Sequence, residues 1–192
     1  NNGLALNSSK SETIHFSVVQ ARYTKSVTAV NVAGATIPLS PSVKSLGVVL
    51  DSHLTFDDHV AAVSKACYFH IRALRHIRSS LPDDVARMIA CSIVGSRLDY
   101  CNSILAGMSD ANFTKLQRIQ NTLARVVTGA RRYDHAKKEV VHITPVLAEL
   151  HWLPVKARVT FKLATIVYKL CESGLPSYLA SLLPEHKPIR NM

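Results

Sequence analysis

The sequence lacks the residue spacings that usually hold a metal ion or a cofactor. No two of its four cysteines stand in C-x-x-C spacing, so the paired ligands of a zinc knuckle or ribbon are missing. Its histidines form neither H-x-x-x-H nor H-E-x-x-H, and no P-loop, G-x-G-x-x-G or G-x-S-x-G occurs. Hydrolase, NTPase and dinucleotide-binding functions therefore have no support, and we expect no metal site and no cofactor in this chain.

Long apolar runs and acidic residues are also scarce. No run approaches the ~20 apolar residues that a membrane-spanning helix needs, so no membrane partner is expected. Only 13 acidic residues stand against 23 lysines and arginines, for a net charge of +10. This balance suits a polyanion, because each cation placed on a phosphate releases counterions; the alternative is a basic surface that binds nothing. Without a signal peptide, we expect an intracellular protein, in the nucleus or cytoplasm, with reduced and buried thiols.

The first fifty residues show the patterns of β-structure. Thr13–Val18 alternates polar and apolar residues, which is typical of a half-buried strand. Ala33-Gly34-Ala35 lies between two apolar segments and predicts a hairpin turn. Val43–Leu50 is predicted as a further strand, and Gly47 inside it indicates a bulge or a close backbone approach.

Apolar residues spaced by three and four predict helices from Asp57 onward. The predicted helices cover residues 57–79, 81–98, 112–128, 145–150 and 155–172, with a last short one after Pro176. Apolar side chains occupy much of the circumference of helix 155–172, so we expect that helix to be largely buried. The polar stretch before helix 145–150 is expected to be a flexible connector.

The helix predicted at 112–128 separates basic from apolar residues. Lys115, Arg118 and Arg125 lie on one face, and the aliphatic side chains lie on another. Arg131 and Arg132 follow directly after the helix. This pattern predicts a surface that follows a nucleic-acid backbone; the alternative is an ordinary solvated helix face.

Carboxylates that could hold catalytic metal ions are few. Two-metal phosphoryl transfer needs carboxylates that converge on ions ~4 Å apart. The adjacent pairs Asp57-Asp58 and Asp83-Asp84 each stand where a helix is predicted to begin, and their charge suits a helix N-terminus. Near the end of the second helix, Arg97 and Asp99 are expected to form a structural ion pair or cap.

Several segments in a fixed order carry a family resemblance. They are Leu6-Asn7-Ser8-Ser9-Lys10-Ser11-Glu12, Val43–Asp51, Leu54-Thr55-Phe56 with His59, Ser96–Ser103, Lys115–Asn121, Arg125–Gly129, His135, Ile143–Leu147 and Leu150–Pro154. Together they resemble the C-terminal part of the reverse transcriptase of non-LTR retrotransposons, the Jockey-like and chicken-repeat-like elements. The resemblance covers nearly the whole chain. The aromatic-x-Asp-Asp turn that carries the catalytic aspartates in that family does not occur in this sequence.

The resemblance implies an α+β fold, with a small antiparallel β remnant of a polymerase palm, a mostly helical thumb and a helical C-terminal region. The implied divisions are the end of the palm with a primer-grip-like β segment at 1–56, the thumb at 57–132, a connector at 133–144 and the C-terminal region at 145–192. That family usually runs from Tyr-Asp-His straight into Ile-Thr-Pro, whereas Ala136–His142 intervene here.

The resemblance also implies a function and its residues. The chain would be a fragment of an RNA-directed DNA polymerase that binds template–primer, as RNA–DNA hybrid or duplex DNA, and is inactive alone. Mg²⁺ is expected only in a complete polymerase, with the missing upstream part as partner and Lys10 as general acid toward the departing pyrophosphate. The implied nucleic-acid-binding residues are Lys44, Gly47, Arg97, Lys115, Arg118, Arg125, Arg131 and Arg132.

Two alternatives stay open at this point. Besides the polymerase fragment, one is a co-opted, non-catalytic helical module that binds nucleic acid or protein, and the other is the translation of a degenerate element with no selected function.

Overall fold

The β part of the structure, a computed structural model that describes residues 7–17, 27–131, 133–134 and 139–183, begins with two short antiparallel hairpins. Strand β1 (Ala29–Val32) pairs with β2 (Ala35–Pro38), and β3 (Ser42–Ser45) pairs with β4 (Val48–Asp51). Both connections are two-residue turns in which both residues have positive φ, the geometry that matches the twist of paired strands. The hairpin predicted around Gly34 is confirmed.

Two strand predictions need correction. The segment predicted as one strand over 43–50 is a hairpin, because Leu46 and Gly47 have φ of 45° and 86° and reverse the chain. Residues 13–17 make a single bridge between Thr13 and Leu39 and otherwise run extended without a ladder, while Val18 lies outside the described residues. Alternation of polar and apolar residues over so few positions does not distinguish a strand from an irregular segment that lies beside a hairpin.

The remaining described chain is mostly helical, and an α+β fold is confirmed. The helices are α1 (Asp57–Ile77), α2 (Asp83–Ile89), α3 (Ser96–Asp99), α4 (Asp110–Thr128), α5 (Ile143–Glu149), α6 (Val155–Ser173) and α7 (Ser177–Ala180). A π-helical segment at Ala90–Gly95 joins α2 to α3 without a break, and short 3₁₀ turns occupy Ser8–Lys10, Arg78–Ser80 and Asn102–Leu105. The predicted helices are confirmed to within a single turn at each end.

One hydrophobic core joins the helices. Its fully buried side chains include Val60 and Ile71 of α1 and Leu116, Ile119 and Leu123 of α4. Each such aliphatic side chain contributes roughly 1.5–3 kcal/mol by leaving water. The same cluster extends from β4 to the first turns of α6, so the described parts of the predicted thumb and C-terminal region share their core.

Two buried amides fix how α4 meets its neighbours. Asn112 is completely buried, and its Nδ2 donates to the Thr55 carbonyl at 3.2 Å and to Asp57 Oδ1 at 2.8 Å. Gln120 is also buried, and its Nε2 donates to the Leu153 carbonyl at 2.8 Å. Because an unpaired buried amide is costly, these bonds favour one arrangement of the helices over others.

The prediction that helix α6 is largely buried is wrong. Val155, Val159 and Leu170 are buried, but Phe161 and Tyr168 are 65% and 67% exposed. Within the described part of the chain, no element covers the α6 face that carries these rings. Apolar periodicity identifies a face but not whether a neighbouring element exists to cover it.

The expectation of buried thiols holds only for one cysteine. Cys67 lies in the core, whereas Cys91, Cys101 and Cys171 are exposed. Burial raises the pKa of Cys67 to about 11, against a smaller opposing effect of the Arg97 charge. Among the helices that the structure describes, none is both long and apolar enough to cross a bilayer.

Candidate nucleic-acid interface

The first candidate site is a cavity beside the second hairpin, here named the hairpin cleft. It has a volume of about 350 Å³ and lies between the β3–β4 hairpin, α1 and the end of α3. Lys44, Gly47 and Arg97 line it together, although they are far apart in sequence. Three of the implied nucleic-acid-binding residues therefore share one surface.

A tyrosine that sequence reasoning did not assign completes the cleft. The Tyr100 hydroxyl donates a hydrogen bond to the Leu46 carbonyl at 2.6 Å. A Cβ atom added to Gly47 would lie 3.4 Å from the Tyr100 ring. The positive φ of Gly47 favours glycine at this position, and an added Cβ would make an ordinary van der Waals contact with the Tyr100 ring.

The charge of the cleft comes from its lysine and arginine. His59 also lines the cavity, but it is buried, and its Nδ1 accepts a hydrogen bond from the Val49 backbone N–H at 3.4 Å. Desolvation by burial lowers the pKa of His59, so the imidazole is neutral at pH 7. His59 therefore fastens β4 to α1 and adds no charge to the cleft.

The approach from the hairpin into α1 is fixed by one carboxylate. Asp51 accepts hydrogen bonds from the backbone N–H groups of His53, Thr55 and Phe56, at 3.1, 3.0 and 2.7 Å. Burial by itself would raise the pKa of Asp51, but these donors outweigh it and hold the pKa below its usual value. The ionised carboxylate therefore stabilises the position of the hairpin against the helix.

Arg97 and Asp99 have structural contacts, as predicted, but they do not pair with each other. Arg97 Nη1 donates to the Ile93 carbonyl at 2.7 Å, within its own helical stretch. Asp99 pairs instead with Arg158 of α6, with 3.0 Å between Oδ1 and Nη1. The structural ion pair thus exists with another partner, and the exposed Arg97 charge remains available at the cleft.

The basic face of α4 divides into two kinds of residue. Lys115 and Arg118 are exposed, and Lys115 Nζ donates to Asn112 Oδ1 at 3.1 Å. Arg125 is half-buried, and its guanidinium donates to the carbonyls of Arg131 and Val141, both at 2.8 Å. Arg125 therefore holds both sides of the connector against α4. We name this pair of hydrogen bonds the Arg125 clamp.

The described parts of the connector also pair with each other. Tyr133–Asp134 (β5) pairs with Glu139–Val140 (β6), and residues 135–138 lie outside the described residues. The described ends of the predicted flexible connector are thus bonded to each other and to α4.

A second cavity, the α4 groove, lies between α1, α4 and the segment before α5. It has a volume of about 600 Å³, and Tyr68, Arg118, Asn121, Arg125 and His142 are among its lining residues. On the other side of Arg125, a further cavity of about 600 Å³ is lined by Arg75 and Arg78. Cationic side chains therefore follow one side of α4 over most of its length.

Among the described residues, Lys10 and Arg131 line none of the cavities described above. Lys10 ends the 3₁₀ turn Ser8–Lys10 and is exposed; Arg131 is exposed; and Arg132 lies outside the described residues. No group of three or more His, Cys, Asp or Glu side chains in the described chain could hold a metal ion. Asp57 binds Asn112, and Asp83 pairs with Arg78.

Tyr68 and Tyr100 line the two named cavities, and sequence reasoning gave neither of them a role. Each has a polar group on an otherwise apolar side chain, and only the tertiary contacts show which of these line a cavity. For Tyr100, a usable signal was its position directly after Arg97-Leu98-Asp99 in a segment that carries the family resemblance.

Comparison with known proteins gives one informative similarity. The chain is 27% identical over 107 residues, 54% of its length, to the probable RNA-directed DNA polymerase from transposon BS of Drosophila melanogaster. It spans 12% of the length of that protein. No family model matches the chain, and no solved structure matches it. The similarity supports a relationship between about half of this chain and a transposon RNA-directed DNA polymerase, that is, a reverse transcriptase.

Proposed function

We propose that this chain holds the template–primer in the RNA-directed DNA polymerase of a non-LTR retrotransposon, of the Jockey-like or chicken-repeat-like kind. In this proposal, residues 1–56 end the palm, 57–132 form the thumb, and 145–192 continue beyond the connector. The ligand is an RNA–DNA hybrid or duplex DNA, bound mainly through its phosphates and its shape. The protein acts inside the cell, in the nucleus or cytoplasm.

The hairpin cleft is the observation that carries this proposal. Its volume of about 350 Å³ is too small for a duplex but suits a short piece of one strand's backbone. Lys44 and Arg97 supply two positive charges there, and the Leu46-Gly47 turn presents main chain with little side-chain bulk. A site of this kind holds a strand end, while Lys115 and Arg118 on α4 attract phosphates of the bound nucleic acid beyond that end.

We do not propose that this chain polymerises DNA by itself. The acidic residues at the starts of α1 and α2 serve the fold, since Asp57 accepts a bond from Asn112 and Asp83 pairs with Arg78. Mg²⁺ and the paired aspartates would come with the upstream part of a complete polymerase, in which Lys10 is the proposed general acid.

A salt titration of binding tests the proposal. The wild-type chain should bind an RNA–DNA hybrid and duplex DNA of unrelated sequences. The logarithm of its binding constant should fall linearly with the logarithm of the salt concentration, and this salt slope should be steeper by ~0.9 for each phosphate contact on B-DNA. Lys44→Ala and Arg97→Ala should each flatten that slope by ~0.9. Lys169→Ala on α6 is the matched control, since this exposed lysine lies outside both named cavities. Salt-independent binding, or equal effects of all three variants, would refute the proposal.

A second candidate function is favoured by the exposed face of α6. Phe161 and Tyr168 are 65% and 67% exposed, which is typical of a surface that contacts another protein. A co-opted, non-catalytic module that binds protein would keep this face and show no salt-dependent binding of nucleic acid in the same titration.

A further inference from the structure

The α4 groove has the size and the lining of a site for one nucleotide. Its volume of about 600 Å³ lies within the range of small-ligand sites, roughly 300–1,000 Å³. Its walls come from three elements, namely α1, α4 and the segment that precedes α5. It is separate from the hairpin cleft, with which it shares no lining residue.

An aromatic ring forms one wall of the groove. Tyr68 of α1 is 40% exposed and lines the cavity opposite residues of α4. Any of the nucleobases can stack on a tyrosine ring, because every base has a π-face. Bases inside a duplex are already stacked on one another, so a ring in a cavity suits an unpaired base.

A free cation stands at the same cavity. Arg118 is exposed, and its guanidinium makes no hydrogen bond or ion pair with any of the residues that the structure describes. Arg125 adds a second charge, although its donors are held by the carbonyls of Arg131 and Val141. A phosphate would therefore contact Arg118 directly and benefit from the nearby charge of Arg125.

An amide side chain also lines the groove. Asn121 is half-buried, and its Oδ1 accepts a hydrogen bond from Gln117 Nε2 at 2.8 Å. This bond leaves the Asn121 Nδ2 group to donate to an acceptor on the edge of a base. A stacking ring, a base-edge donor and a phosphate cation are thus all present in one cavity.

We infer that the α4 groove binds one unpaired nucleotide of a nucleic-acid strand, with its base on Tyr68 and its phosphate at Arg118. This inference rests on the proposed function, because the strand that supplies the nucleotide extends from the bound duplex. It adds a contact specific for a single-stranded extension to a surface that otherwise recognises duplex phosphates.

The test compares a blunt RNA–DNA hybrid with the same hybrid carrying a short single-stranded tail. The tail should tighten binding by the wild-type chain about tenfold, the gain expected from one base stacked on an aromatic ring. Tyr68→Leu should abolish that gain, whereas Tyr68→Phe should keep it. Tyr178→Leu on α7 is the matched control, since that tyrosine is exposed but lies outside the groove.

A second measurement does not depend on any variant. A 2-aminopurine placed in the tail should lose fluorescence on binding to the wild-type chain, because stacking on Tyr68 quenches it. An unchanged fluorescence together with equal affinity for tailed and blunt hybrids would overturn the inference. Failure to bind the blunt hybrid, with the tail-dependent gain intact, would instead refute the proposed duplex-holding function and leave the groove as a nucleotide site.

Discussion

The Arg125 clamp leads to a quantitative prediction that separates two arginines of one helix face. Arg125→Met keeps most of the aliphatic stem but removes both hydrogen bonds from the guanidinium. The bond to Arg131 is exposed, so water replaces it, whereas the bond to Val141 is partly buried. Losing one partly buried, charge-assisted bond should destabilise the protein by about 2 kcal/mol. For a protein of this size, that loss lowers the melting temperature by about 4–8 °C.

Urea and thermal unfolding, followed by circular dichroism, measure this loss. Arg118→Met is the matched control, because Arg118 is exposed on the same helix and its guanidinium bonds to none of the described residues. We expect its stability to change by less than about 0.5 kcal/mol. The effects of the two variants on nucleic-acid binding should be the reverse of their effects on stability. Only Arg118→Met should flatten the salt slope, by ~0.9.

One result would refute this division of roles. If Arg125→Met leaves the free energy of unfolding unchanged and flattens the salt slope as much as Arg118→Met, then Arg125 binds phosphate. The clamp would then contribute nothing to the stability of the fold.

Three further predictions concern catalysis, thiol reactivity and acid stability. The purified chain should extend no primer on an RNA template with Mg²⁺ or Mn²⁺, and extension above a no-protein control that disappears with Asp57→Asn would contradict the proposal. Titration with a thiol reagent at pH 8 should modify three cysteines quickly and Cys67 slowly, since burial raises the pKa of that thiol to about 11; four equal rates would contradict its burial. Asp51 should contribute stability that is present above the unfolded pKa of about 3.9 and lost as pH falls through its lower folded pKa. Asp51→Asn should therefore flatten the acid side of the stability profile, and an unchanged profile would show that the carboxylate has no such role.

Local sequence signals predicted the elements but not their environment. The helices were predictable because apolar residues recur every three or four positions and glycine ends α4 and α6 in left-handed conformations. The division of 43–50 into two strands was not predictable, because Leu46 adopts a positive φ of 45°, a backbone conformation that leucine disfavours. The exposure of Phe161 could not be predicted from the sequence either, because burial depends on a neighbouring element and not on helical periodicity.

The candidate site was predictable only in part for the same reason. Lys44, Gly47 and Arg97 were implied by resemblance, and the fold brings them together at the hairpin cleft. The true partner of Asp99 is Arg158, which lies beyond α4 and α5 in sequence, so no local pattern could indicate the pair. The commitment of Arg125 to two backbone carbonyls likewise depends on where the connector returns to α4.

The Arg125 clamp also bears on how this protein tolerates changes in length. The carbonyls of Arg131 and Val141 are anchored by one side chain, so the chain between them starts and ends at fixed points. The entropy of closing such a segment rises only with the logarithm of its length, by about 0.6 kcal/mol for each doubling. Residues added between these anchors leave the packing of α4 against α5 undisturbed. The connector is therefore the natural place to insert a tag or a reporter domain.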